Sequence, residues 1–270
     1  MKTALSESIP SDKVETTTVW SFPERGKWST HSAKYRGNWA PQIARNLILL
    51  YSQEGDAVLD PMIGSGTTMI EAKLLGRKGL AFDIHPEVVA LAQEACVAAE
   101  KGKFDPKIER GDARDLSAVE DDSVDFIATH PPYLNIIRYG AGEIEGDLSA
   151  ISSLSKFCDQ IELVARECFR VLKPGKYCAI LIGDTRRRRH FVPLAFNVMQ
   201  RFLKAGFILK EDIIKLQHNC TTTRYWGARE KDFLLIMHEH LFVFRKPGEE
   251  DLSPYKDSRY KQEGPTDVVQ

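Results

Sequence analysis

The stretch Val58-Leu59-Asp60-Pro61-Met62-Ile63-Gly64-Ser65-Gly66-Thr67-Thr68 constrains the fold of this chain more than any other. The apolar run Ala57-Val58-Leu59 ends in an acid. Two glycines follow at close spacing, and Met69-Ile70-Glu71-Ala72-Lys73-Leu74-Leu75 then takes up a helical pattern. The segment reads as strand, tight turn and helix, the unit from which α/β domains are built. Gly64 and Gly66 can take the positive φ that such a turn requires, and they let a ligand approach the backbone. Thr67 or Thr68 is expected to cap the helix. An ordinary Gly-rich βα turn has the same pattern, so the turn alone names no ligand.

A second acid narrows the choice. Gly79-Leu80-Ala81-Phe82-Asp83-Ile84 reads as the next buried strand. Asp83 falls about 20 residues beyond the glycines, where ribose-binding acids sit in nucleotide-binding α/β folds. No Gly-Lys-Ser/Thr is present, which excludes a P-loop. Met69 stands where a dinucleotide fingerprint would place its third glycine. The chain has 270 residues and 43% hydrophobic content, enough for a sizeable core. A formal net charge of −1 gives no global basic field, so contact with nucleic acid must be local. The five cysteines, at 96, 158, 168, 178 and 220, form no Cys-x-x-Cys. They read as reduced core residues of a cytoplasmic protein, with neither a metal site nor a disulfide scaffold. The first residues lack the apolar stretch of a secretory leader, and no run is long enough to span a bilayer.

Taken in order, residues 1–17 are expected to form a flexible arm, residues 18–245 a single domain, and residues 246–270 a disordered tail. Within the domain, 18–56 comprises a flap and a helix over 42–51. The flap interleaves aromatic and cationic residues, and Tyr35 and Arg36 are substrate candidates there. Strands are expected over 57–60, 78–84, 107–109, 123–129, 176–184, 207–217 and 233–245. Helices are expected over 67–76, 87–101, 157–172 and 193–205. Residues 140–149 read as a lid. Arg186, Arg187, Arg188 and Arg189 follow the fifth strand directly, at the carboxyl end where open α/β sheets carry their sites, which suits phosphate contact. Asn135, Asn219, Tyr225 and Trp226 lie on loops that would share this rim.

The run Asp60 to Thr68 resembles the cofactor loop of S-adenosylmethionine-dependent amino-methyltransferases acting on nucleic acids. Thr129-His130-Pro131-Pro132-Tyr133 resembles that family's catalytic loop. The resemblance covers residues 20 to 245. It implies an α/β, class I (Rossmann-like) methyltransferase fold, a seven-stranded, mostly parallel sheet with helices on both faces. It also implies S-adenosylmethionine as cofactor. Carried over residue by residue, the cofactor site comprises Asp60, Pro61, Gly64, Gly66, Thr67, Thr68, Asp83, Ile84, Asp112, Ala113 and Thr129. Asp112 would accept the adenine amino group, and Asn38, Trp39 and Pro41 would flank the methionine end. His130, Pro131, Pro132 and Tyr133 would be catalytic.

An exocyclic base amine is a poor nucleophile because its lone pair is delocalised into the ring. Two consecutive prolines have no N–H to donate, so the loop offers carbonyl acceptors to the amine hydrogens. Tyr133 would stack on an extruded base. The family has Asp, Asn or Ser before Pro-Pro, and His130 departs from this. A neutral imidazole can accept one hydrogen bond and could take the released proton. The departure leaves cytosine and adenine both open. No cysteine lies in this loop, which argues against carbon-5 methylation through a cysteine adduct. The preferred expectation is methylation of cytosine N4 in structured RNA such as ribosomal RNA. DNA cytosine-N4 or adenine-N6 methylation stands next, and a non-catalytic nucleic-acid-binding scaffold is more remote.

Overall fold

The computed structural model describes residues 8–10, 14–100, 102–137, 139, 144–218 and 233–251. Its strands in chain order are β1 (Val19–Ser21), β2 (Ala57–Asp60), β3 (Lys78–Asp83), β4 (Lys107–Arg110), β5 (Val124–Thr129), β6 (Leu172–Ile182), β7 (Thr185–Arg187), β8 (His190–Val192), β9 (Ile208–Leu216) and β10 (His238–Arg245). The helices are α1 (Pro41–Tyr51), α2 (Thr67–Leu74), α3 (Pro86–Ala98), α4 (Leu154–Val171) and α5 (Leu194–Lys204). Eight strands form one sheet in the order β1-β9-β10-β6-β5-β2-β3-β4, and β7 and β8 form a separate hairpin. All pairings in the large sheet are parallel except those of β10, which runs antiparallel to both β6 and β9.

Alternation along the strands sends apolar side chains to two cores. Leu59, Cys178, Ile180, Ile182, Phe242 and Phe244 pack with α4 and α5 on one face. Val58, Ala179, Leu181, Leu241 and Val243 pack with α1, α2 and α3 on the other. This is the α/β sheet with helices on both faces that the sequence implies, with one strand more than seven. The addition is β1, whose three residues are too few to show a period in the sequence. It pairs in parallel with β9, and Trp20 is buried while its neighbours point out.

Two local expectations need correction. The residue capping α2 is Gly66, at φ 93°, and no side chain caps the helix. Thr67 opens the helix instead, and the Thr68 hydroxyl donates to Asp60 at 2.6 Å. The fifth strand begins at Leu172 rather than 176, so Pro174 and Gly175 lie within β6. There the Gly175 N–H donates to the carbonyl of Lys246 at 2.9 Å, so the chain after β10 continues the pairing. The four described cysteines are buried and unbridged, and no described helix is long and apolar enough to cross a membrane.

A buried carboxylate fastens the segment before α1, and α1 itself, to α2. Glu71 of α2 is fully enclosed. Its Oε1 accepts from the Trp28 indole at 2.7 Å and from His31 Nε2 at 2.6 Å, while its Oε2 accepts from Arg45 at 3.0 Å. An isolated carboxylate could not remain buried there, and three donors make the site tenable. Glu71→Ala removes the acceptor shared by three buried donors. It is expected to cost about 3–5 kcal/mol in urea unfolding, with early proteolytic cleavage between residues 18 and 40.

Candidate active site

The Asp60 carboxylate at the carboxyl end of β2 joins the glycine turn, α2 and the end of β5. Its Oδ1 accepts from the Met62 N–H at 3.1 Å and the Thr129 hydroxyl at 2.8 Å, and its Oδ2 accepts from Thr68. Burial pushes its pKa up to about 6, with these hydrogen bonds opposing the shift. Asp83 closes the next strand. Its Oδ2 accepts from the Gly64 N–H at 3.2 Å and its Oδ1 from the His85 N–H at 3.1 Å. Burial raises the Asp83 carboxyl, and the same two N–H groups oppose the rise. Ile63 N–H also donates to the Phe82 carbonyl at 2.9 Å, so the glycine turn is bound to β3 at two points.

These strand ends wall a cavity that opens to solvent. Asp60, Pro61, Gly64, Thr67, Asp83, Ile84, Asp112 and Ala113 line it, as the sequence places them. Three expected cofactor residues do not reach it. Gly66 packs on α3, where a Cβ would come within 3.3 Å of the Ala92 backbone. Thr68 and Thr129 are wholly buried behind Asp60 and hold its oxygens. Asp112 reaches the wall already engaged, its Oδ1 accepting from the Arg114 N–H and from Arg114 Nε, both at 2.9 Å. Burial would raise its pKa, but Arg114 outweighs that and holds the carboxyl below its usual range. Tyr35, expected on the substrate side, lines this cavity instead. It stacks on Tyr139 with ring centroids 5.7 Å apart. Asn38 and Trp39 line it as well, whereas Pro41 is buried at the start of α1.

A second, larger cavity lies across the His130-Pro131-Pro132-Tyr133 loop, with about 1330 Å³ of empty space opening to solvent. Pro132 lines the first cavity and Pro131 the second, and His130, Gly37 and Tyr139 line both. The loop is therefore the partition. Arg36, Arg186 and Tyr133 line the second cavity. The arginine run does not form one face. Arg186 turns back to donate to the carbonyls of Arg189 and Leu234, at 3.0 and 2.8 Å, with its guanidinium over Phe233. Arg187, Arg188 and Arg189 sit exposed at the β7–β8 hairpin, where Arg188 and Arg189 take positive φ. Asn135 is exposed beside them, its Oδ1 3.4 Å from Arg187. Asn219, Tyr225 and Trp226 lie outside the described residues.

Sequence reasoning missed two residues of this loop's surroundings. Tyr133 Oη donates to Glu239 Oε1 at 2.8 Å, and Glu239 Oε2 accepts from Lys215 Nζ at 2.8 Å. His130 Nε2 lies 2.7 Å from the same tyrosine oxygen. The His130 ring is also stacked on Trp39, with centroids 5.9 Å apart and planes at 21°. An acid at the head of the apolar run from Leu241 was the available signal, but a partner 106 residues away leaves no trace in spacing.

A family model described as DNA methylase matches residues 2–94 and 124–267. The chain belongs to this family. Among curated relatives, a tRNA (guanine(10)-N2)-dimethyltransferase of Methanothermobacter thermautotrophicus is 38% identical over 110 residues, covering 40% of this chain and 31% of that protein. The Type II beta methyltransferase M.BslI of a Bacillus species is 28% identical over 157 residues, covering 53% of this chain and 16% of that protein. The chain thus spans less than half the length of either relative. The crystal structure of TrmN from Thermus thermophilus superposes with a TM-score of 0.53 at 24% identity, covering 78% of this chain and 50% of that one, and shows the shared fold. The family's cofactor is S-adenosylmethionine, and the first cavity of this DNA methylase family member fits it. A strand-end carboxylate at Asp83 stands ready for hydroxyl donors. The Gly64 backbone faces the cavity bare, where a Cβ would press on Tyr35 at 3.3 Å.

Burial pushes the His130 pKa down to about 4, against the opposing pull of Glu239. The folded protein therefore binds fewer protons than the unfolded chain between pH 4 and the ordinary histidine value of about 6.5. His130 stabilises the fold least at low pH, and its contribution grows as pH rises to 6.5 and is then flat. Relative to His130→Gln, wild-type stability should climb between pH 4 and 6.5 by at most about 1.4 kcal/mol per unit. Urea titrations of both proteins across that range check this.

Proposed function

We propose that this protein transfers a methyl group from S-adenosylmethionine to an exocyclic base amine in nucleic acid. Cytosine N4 in structured RNA is the preferred target. One observation carries the reading: a Pro-Pro loop at the carboxyl end of β5 partitions a cavity walled by Asp83 and Asp112 from a cavity rimmed by arginine. S-adenosylmethionine, when bound, supplies an electrophilic methyl on a sulfonium. Asp83 would hold the ribose hydroxyls, and Ile84, Ala113 and Pro61 would pack about the adenosine. The carbonyls of the loop accept the amine hydrogens, because Pro131 and Pro132 leave no N–H to compete. Tyr133 forms a wall against which an unstacked base can lie. The Arg187–Arg189 hairpin would take the phosphates, which position the strand without reading sequence.

The preference for RNA rests on the segment between the loop and α4. Residues 134–153 are too few for a separate DNA-reading domain, and recognition by shape suits structured RNA. DNA is the second reading, favoured by the family's description and by the Type II relative. Nucleoside mass spectrometry decides between them after purified protein is incubated with deuterated-methyl cofactor and either total RNA or genomic DNA. N4-methylcytidine is the expected product. A methylated deoxynucleoside would favour the second reading, and N2-methylguanosine would move the target to the base of the archaeal relative. Methyl on carbon 5, or on protein only, would overturn the amine mechanism.

Two further outcomes are expected. Asp83→Ala should weaken S-adenosylmethionine binding by about 1–3 kcal/mol in calorimetry, the cost of losing buried polar partners. Replacing Arg187, Arg188 and Arg189 together by Glu should weaken nucleic-acid binding and lower its salt slope by about one for each phosphate left without its arginine. Cofactor affinity should stay the same.

A further inference from the structure

We propose that Glu239 and Lys215 are positioning residues for the transfer step. They hold the Tyr133 hydroxyl so that it fixes the His130 ring with its proton on Nε2 and a bare lone pair on Nδ1. The inference rests on the amine-transfer reading and adds to it the tautomer of the residue that replaces the family's Asp, Asn or Ser.

Counting protons along four groups determines the tautomer. Glu239 is buried, with 7% of its surface exposed, and it faces Lys215 across the β9–β10 register at 2.8 Å. Burial would raise its carboxyl, but the Lys215 ammonium beside it and the hydrogen bonds from Lys215 and the Tyr133 hydroxyl hold it below the ordinary range, so it is ionised. A carboxylate has only lone pairs to offer, so the contact at 2.8 Å requires the phenolic hydrogen. Tyr133 has one hydrogen and has now given it away. The remaining contact, 2.7 Å from the tyrosine oxygen to His130 Nε2, must therefore be filled from the histidine side. A neutral imidazole with its proton on Nε2 has none on Nδ1.

Among the described residues, His130 Nδ1 is buried without a well-aligned hydrogen-bond partner, although the Gly37 backbone beside the ring favours its protonated form. The place of the ring proton therefore rests on the hydrogen bonds through Tyr133 and Glu239. A half-turn of the ring would keep it parallel to Trp39 but put Cε1 where Nε2 now meets Tyr133, breaking that contact. The chain thus converts the His130 side chain into a fixed, single acceptor in the wall that the two cavities share. That is the hydrogen-bonding character of the family's Asp or Asn oxygen at this position. This nitrogen is buried, with Trp39 stacked on the ring and the Gly37 backbone beside it, so an amine would reach it only once the Gly37–Trp39 segment yields.

The test uses full-length protein labelled with 15N-histidine, with His130→Gln identifying the resonance. The wild type should show a protonated Nε2 and a bare Nδ1 at neutral pH. Glu239→Gln and Tyr133→Phe should both populate the other tautomer. Both should slow single-turnover methyl transfer by about tenfold or more, while the S-adenosylmethionine Kd stays within about twofold. Combining them should be no slower than the slower single variant, because both act through one chain. Lys215→Met should give a smaller loss that Lys215→Arg restores. Tyr133→Phe removes one oxygen and no charge, so it remains informative if Glu239→Gln does not fold. A wild-type His130 protonated on Nδ1, variants that keep the wild-type tautomer, or rate losses that multiply would each overturn the proposal. If no nucleic acid accepts a methyl group, the proposed function fails, while the ring spectra still decide the hydrogen-bond chain.

Discussion

The site depends on a carboxylate whose oxygens are engaged by the protein itself. Asp60 is buried at the end of β2 and binds the turn through Met62, α2 through Thr68 and β5 through Thr129. A carboxylate removed from water costs several kcal/mol unless its lone pairs are used, and here three donors use them. The arrangement forces the two cavities into one frame. The glycine turn that backs the first cavity and the strand that carries the Pro-Pro loop cannot shift independently. Two threonines that resemble cofactor contacts in the sequence are in fact the donors that hold this carboxylate.

The fold was largely legible because its signals are local. Ala57–Leu59 and Gly79–Ile84 are short apolar runs ending in acids, and each becomes a parallel strand whose acid lies at the active edge. The helices follow apolar spacing to within a few residues. Two features lacked such a signal. A strand of three residues has too little length for a period, so β1 hid inside the aromatic flap. Pro174–Gly175 reads as a terminator, yet the pairing with Lys246 keeps these residues in the sheet, which is tertiary context overriding local preference.

The candidate site was legible only where one loop supplies it. Asp60 to Thr67, Asp83 and Ile84, and His130 to Tyr133 each sit at a strand's end, and strand ends can be read. Which side of the partition a residue faces could not be. Tyr35 lies with the cofactor cavity because it stacks on Tyr139, a pairing between two loops about a hundred residues apart. The arginine run looked like a single basic face, but a hairpin turn divides it. Arg186 directs its donors to carbonyls, and the next three stand at the tip.

Topology explains why the least legible residue matters. In a parallel sheet every strand presents its carboxyl end to the active edge, so acids that close strands are the ones to examine. The one antiparallel strand, β10, reverses the rule and presents its first residues there. His240 pairs with Ile182, the last residue of β6, which places Glu239 level with Gly183 just beyond it. A Cβ at Gly183 would press on the Tyr133 ring at 2.8 Å, so the bare backbone at that point lets the ring lie close enough for its hydroxyl to reach Glu239. The start of an antiparallel strand and the glycine after a parallel one thus form the seat for Tyr133. Whatever the loop does chemically, it does from a tyrosine held by an element that the sequence order places last.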